Sequence, residues 1–85
     1  MALDNRASET STVIDVRAPD GIGALYRITR AIADMDLDIR HAKVSTLGHE
    51  VIDAFYVVDR SGSKVTDPGY LSEIEAAILV ELGRL

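Results

Sequence analysis

Cysteine and tryptophan are missing from this 85-residue chain, and phenylalanine occurs once. Without cysteine there is no disulfide framework and no thiolate metal site, which suits a reducing cytoplasm. Positive charge is also scarce: Lys and Arg total 9 against 14 Asp and Glu, a formal net charge of −5. A phosphate-backbone partner needs a basic surface, and RNA needs aromatic platforms as well, so nucleic acid is excluded as a partner. No apolar run approaches the length of a membrane span or a signal-peptide core, and no membrane contact is expected. His41 and His49 share no ligand spacing with a carboxylate cluster, so neither a metal nor another cofactor is expected.

What is present is globular material, 47% hydrophobic and 27% charged, too apolar for disorder. A chain of this length forms one small domain that buries only roughly 60–65% of the surface its unfolded form exposes. So thin a core favours association with a partner or a larger parent chain. The stretch Asp4-Asn5-Arg6-Ala7-Ser8-Glu9-Thr10-Ser11 is polar and aperiodic. Residues 1–11 therefore read as a flexible tail or linker remnant, and 12–85 as the domain.

From Thr12 to Ala18, Ile14, Val16 and Ala18 alternate with Val13, Asp15 and Arg17, the period of a half-buried strand. Leu25, Ile28, Ala31, Ile32 and Met35 then recur at helical spacing, with Arg27, Arg30 and Asp34 on the wet side, until Asp36 breaks the pattern. Asp38–Leu47 and Val51–Asp59 are β-rich around Gly48-His49-Glu50 and predict a hairpin. Asp67-Pro68 opens a second helix, with Asp as cap and Pro at the first helical position. Its apolar face is Leu71, Ile74, Ala77 or Ile78, and Leu82, and Gly83 is its stop. The order strand–helix–strand–strand–helix lets the third strand insert between the first two. That gives an α+β, ferredoxin-like βαββα domain, with two helices on one face of an antiparallel sheet. The fourth strand of such a plan is missing, or is supplied by the tail or a partner, since the first strand is otherwise an open edge.

The joint Ala18-Pro19-Asp20-Gly21-Ile22-Gly23-Ala24-Leu25 links the first strand to the first helix with little side-chain bulk. Asp20 is placed to cap the helix, and Gly21 and Gly23 leave its first N–H groups approachable. Such a helix start can receive a carboxylate, although any short strand-to-helix turn also favours Asp and Gly. His41, on the second strand, is either a ligand contact or a surface residue, and His49 at the hairpin tip is solvated. In the third strand Ile52, Ala54, Tyr56 and Val58 alternate with Val51, Asp53, Phe55, Val57 and Asp59. If the first set packs under the helices, Phe55 and Val57 join Val13 in an uncovered apolar patch that favours self-association; otherwise the strand is simply apolar on both sides. Tyr56 is read as core. Asp53 and Asp59 flank the strand and protect it from aggregation, while Asp4, Asp15, Glu73, Glu75 and Glu81 read as solvated charge.

From Thr12 to Leu82 the chain resembles an ACT domain, the small ferredoxin-like regulatory module that often senses amino acids. Val16 to Tyr26 is similar to the family's Pro-Asp-x-x-Gly-x-Leu turn. The hairpin from Ala42 to Asp59, with Gly62, Lys64 and Asp67-Pro68 behind it, resembles the C-terminal ACT repeat of bacterial PII uridylyltransferase/uridylyl-removing enzymes. That repeat stops soon after its second helix, which would account for the absent strand. The resemblance implies a cytoplasmic, glutamine-responsive domain that controls both activities of a larger nitrogen-signalling enzyme and has no catalysis of its own. It also implies that the N–H groups of Gly21, Ile22 and Gly23 hold the α-carboxylate of the ligand. Asp20 and Asp38 would then hold its other polar groups, with His41 nearby and a homodimer or neighbouring ACT repeat as partner. Relatives usually carry Arg-Pro where this chain has Gly21-Ile22. The looser loop implies a weaker site, micromolar to millimolar, or about −4 to −8 kcal/mol. It also keeps open an ACT-type dimerisation module with no small-molecule ligand. An acylphosphatase shares the element order but needs a loop arginine and a second-strand asparagine; the only asparagine here is Asn5, and no catalysis is expected.

Overall fold

The computed structural model describes residues 1–19, 22–48 and 50–83. In chain order the elements are β1 (Ala2–Asp4), β2 (Thr12–Pro19), α1 (Ile22–Asp34), β3 (Asp38–Leu47), β4 (Glu50–Val58) and α2 (Pro68–Glu81). The strands form one antiparallel sheet in the order β1-β2-β4-β3, so β4 does insert between β2 and β3. The α+β, ferredoxin-like architecture is present, and the N-terminus supplies the strand beside β2. Ala2, Leu3 and Asp4 pair with Asp15, Ile14 and Val13. The stretch read as a tail is thus part of the sheet at Ala2–Asp4, because Leu3 packs against the core. Three residues are too few to show a strand period.

Ile28, Ala31 and Ile32 of α1 face the core, as their spacing predicts, and Ile74 and Ile78 of α2 meet them there. The α1 pattern ends at Asp36, whose φ of 61° is left-handed, a conformation Asp tolerates better than most residues. The second helix starts as its sequence demands: Asp67 accepts a hydrogen bond from the Gly69 N–H at 3.1 Å, and Pro68 holds the first helical position. Gly83, at φ 73°, follows its end. Asp67→Ala is expected to lower stability by about 1 kcal/mol, read as a lower urea midpoint at unchanged slope.

The two faces of β4 are the reverse of the arrangement that would leave Phe55 and Val57 uncovered. Thr12, Ile14 and Val16 stand opposite Val57, Phe55 and Asp53, and directly opposed residues of an antiparallel pair share a face. Ile14, Val16, Phe55 and Val57 form the sheet's part of the core, while Ile52, Ala54 and Tyr56 are only half-buried. The expected patch of Phe55, Val57 and Val13 does not exist, since all three are buried.

In β3, Ile39 pairs with Val57 and His41 with Tyr56, leaving Arg40 as the extra residue of a β-bulge. The bulge puts Ile39, Ala42 and Val44 on the helix side of the sheet and His41, Lys43 and Ser45 on the open side. Even so, Ile39, Ala42 and Val44 are exposed. The helices leave that strip of the edge strand uncovered. Among the described residues no helix is long and apolar enough to cross a membrane.

Candidate functional site

Asp20 and Gly21 lie outside the described residues, as does His49. On either side of Asp20 and Gly21, β2 ends at Pro19, opposite Glu50, and α1 begins at Ile22. The first turn of α1 therefore stands at the Pro19/Glu50 end of the sheet. Gly23 is exposed there, and a Cβ built on it meets no atom within 4 Å. That first turn carries no acidic side chain, and the positive end of a helix dipole attracts anions.

Asp38 is not at this end. It opens β3 opposite Val58, eight positions along β4 from Glu50, or about 26 Å at the rise of a strand. His41 lies opposite Tyr56 on the open face, with its ring centroid 5.6 Å from that of Tyr56 and the planes inclined at 59°. Lys43 Nζ stands 5.6 Å from the same ring. Within one chain the described members of the expected site thus occupy three places. Ile22 and Gly23 start the helix, Asp38 is at the far end of the sheet, and His41 is on the face away from the helices.

Asp53 belongs to none of these in the sequence, where its polarity places it in solvent. The structure buries it at 2% exposure on the helix side of β4, opposite Val16 and Val44. Among the described residues its Oδ1 has no hydrogen-bond partner. Burial pushes its carboxyl above the usual carboxylate range. Its contribution to stability is therefore full below the ordinary value of 3.8 and falls as pH rises through the raised folded value, where the charge must be carried inside. The signal that could have found it is alternation: Asp53 shares parity with Phe55 and Val57, and goes where they go. Asp59 behaves oppositely. Its Oδ1 accepts hydrogen bonds from the Ser61 hydroxyl (2.7 Å), the Ser61 N–H (2.9 Å) and the Ser63 N–H (3.0 Å). The Ser61 hydroxyl does most to hold this carboxyl below its usual range. Asp59 organises the turn after β4 rather than a site.

Among the described residues no group of three or more His, Asp or Glu side chains is placed to hold a metal ion. A family model described as the ACR family N-terminal ACT domain matches residues 7–83. The bifunctional uridylyltransferase/uridylyl-removing enzyme of Azospirillum brasilense is 47% identical over 77 residues, which is 91% of this chain and 8% of that protein. Its namesakes in Rhodospirillum rubrum and Phenylobacterium zucineum are 43% and 42% identical, over 89% and 94% of this chain and 8% of each relative. The chain thus spans less than a tenth of the length of these relatives. In three dimensions it is similar to an unknown protein from Galdieria sulphuraria. The TM-score is 0.64 over 82% of this chain and 37% of the other, at 17% identity, a likeness of fold alone.

Proposed function

The chain belongs to the ACT domain family, and from that premise we propose that it is a glutamine-responsive domain controlling the uridylyltransferase and uridylyl-removing activities of a larger cytoplasmic enzyme. ACT domains are regulatory rather than catalytic, and they generally bind amino acids and pack against neighbouring ACT repeats. The observation that carries the ligand reading is the start of α1, where Gly23 is exposed, a Cβ built on it meets no atom within 4 Å, and the helix's first turn holds no acidic side chain. There the N–H groups of Gly21, Ile22 and Gly23 donate to the ligand's α-carboxylate, beside Asp20. Asp38 and His41 reach the same ligand only from a second copy or a neighbouring ACT repeat, because within one chain they lie elsewhere.

The uncovered strip of Ile39, Ala42 and Val44 on edge strand β3 favours such a partner. It equally favours the second reading, an ACT-type dimerisation module without a small-molecule ligand. Titration calorimetry with L-glutamine separates the two. A sensor is expected to bind saturably in the micromolar to millimolar range, and Gly23→Val, whose Cβ has room in the free chain, should weaken binding tenfold or more. A flat titration by a demonstrably folded protein selects the dimerisation module.

A further inference from the structure

We propose that Arg40 binds the carboxylate of a small monocarboxylic acid in a cavity at the Asp38/Val58 end of the sheet. The cavity measures about 400 Å³, and its described lining is Thr10, Ser11, Arg40, Val58 and Gly62. That volume is within the range of small-molecule sites, roughly 300–1,000 Å³. Val58 stands eight positions along β4 from Glu50, so this place is separate from the start of α1 and does not depend on glutamine sensing.

The segments that line the cavity are held by hydrogen bonds of their own. The N–H groups of Thr10 and Ser11 both donate to Ser8 Oγ, at 3.3 and 3.2 Å. In the turn after β4, the Asp59 N–H donates to the Ser63 carbonyl at 2.8 Å and the Gly62 N–H to the Asp59 carbonyl at 3.0 Å. Gly62 has a φ of 84°, a conformation open to glycine and strained for most other residues. A Cβ built there would meet Arg40 Nη2 at 3.8 Å, so the guanidinium lies against this turn. Arg40 is the extra residue of the β3 bulge and has no partner across β4. Bulges of this kind re-aim a side chain that regular pairing would direct elsewhere.

The chemistry of the lining selects the ligand. Among the described residues Arg60 pairs with Asp36 at 2.6 Å, whereas no carboxylate pairs with Arg40. Asp38, two residues before it, is not part of the described lining. A guanidinium presents two parallel N–H donors that match the two oxygens of a carboxylate. The hydroxyls of Thr10 and Ser11, which bond no described residue, supply further donors. One guanidinium balances one negative charge, and a phosphate dianion would bring a second into a chain whose net charge is −5. Val58, the apolar residue of the described lining, suits an aliphatic body on the ligand.

Amide-resolved NMR titration of the 85-residue chain with sodium isobutyrate tests this, with sodium chloride and inorganic phosphate as parallel titrants. Isobutyrate is expected to shift the Ser11, Arg40 and Gly62 amides saturably, and to bind at least threefold more tightly than phosphate. Chloride should leave those amides unsaturated at the same concentrations. Arg40 is exposed, so its variants should keep the wild-type melting temperature. Arg40→Gln should bind isobutyrate at least tenfold more weakly, and Arg40→Lys, which keeps the charge without the fork, at least threefold more weakly. No saturable shift at these three amides, or unchanged affinity in Arg40→Gln, overturns the site. Phosphate binding as tightly as isobutyrate overturns the monocarboxylate assignment. Should Arg40→Gln not fold, the wild-type shifts with the three titrants decide alone.

Discussion

Phe55→Ala is expected to destabilise the domain by about 3–5 kcal/mol, the range for removing a buried aromatic ring from a packed core. A domain of this length has a total stability of about 4–13 kcal/mol, so the truncation removes about a quarter of it or more. The ring is 1% exposed and stands between Ile14 of β2 and Ala42 of β3. It belongs to the same buried cluster as Ile28, Ile32 and Ile74 from the two helices. Backbone hydrogen bonds hold the strands on either side, so the space cannot close fully. Urea denaturation followed by circular dichroism measures the loss directly. The opposite facing of β4 makes a different forecast: a solvent-facing Phe55 would cost less than about 1 kcal/mol on truncation, and only association would change. A small loss in urea would therefore contradict the inward orientation seen here.

What could be read in the sequence, and what could not, divides along the range of the interactions involved. The α2 start at Asp67-Pro68 and the β3–β4 turn at Gly48 are set by residues close in the chain, and both stand where their chemistry puts them. The facing of β4 is different. Apolar residues occupy both parities of that strand, and only its pairing with β2, Ile14 against Phe55, decides which set turns inward. The bulge at Arg40 is equally hidden, since one inserted residue carries Ile39 and Val44 onto the same face despite their opposite parity. The candidate site follows the same division. Its proposed helix-start half is a local pattern, glycines beside an aspartate, of which Asp20 and Gly21 lie outside the described residues. The distance of Asp38 from that turn, and the burial of Asp53 near it, both follow from register. A charged side chain in an apolar strand reads as a solvent-facing residue until the strand's partners are known.

Thr12→Val is expected to cost about 1–3 kcal/mol, although valine matches threonine in shape and is more apolar. Thr12 is buried, and its Oγ1 accepts a hydrogen bond from the Val65 N–H at 2.9 Å while donating to Asn5 Oδ1 at 2.6 Å. Asn5 Nδ2 completes the ring by donating to the Val65 carbonyl at 2.7 Å, and Lys64 Nζ donates to the Asn5 carbonyl at 2.8 Å. Valine removes the hydroxyl and leaves the buried Val65 N–H without its partner, the more expensive way to lose a hydrogen bond. Thr12→Ser keeps the hydroxyl and should cost about 0.8 kcal/mol, the worth of one methyl group. For a domain of this size each kcal/mol lowers the melting temperature by roughly 4–8 °C, so calorimetric scans resolve the two variants. Asn5→Ala and Thr12→Val should combine to less than the sum of their separate losses, because they break the same ring. Asn5 directly follows β1, so the valine variant should also speed hydrogen exchange at the amides that pair β1 with β2. If Thr12→Val is as stable as wild type and exchanges no faster there, strand pairing and Leu3 packing alone hold β1 in the sheet, and the ring contributes nothing.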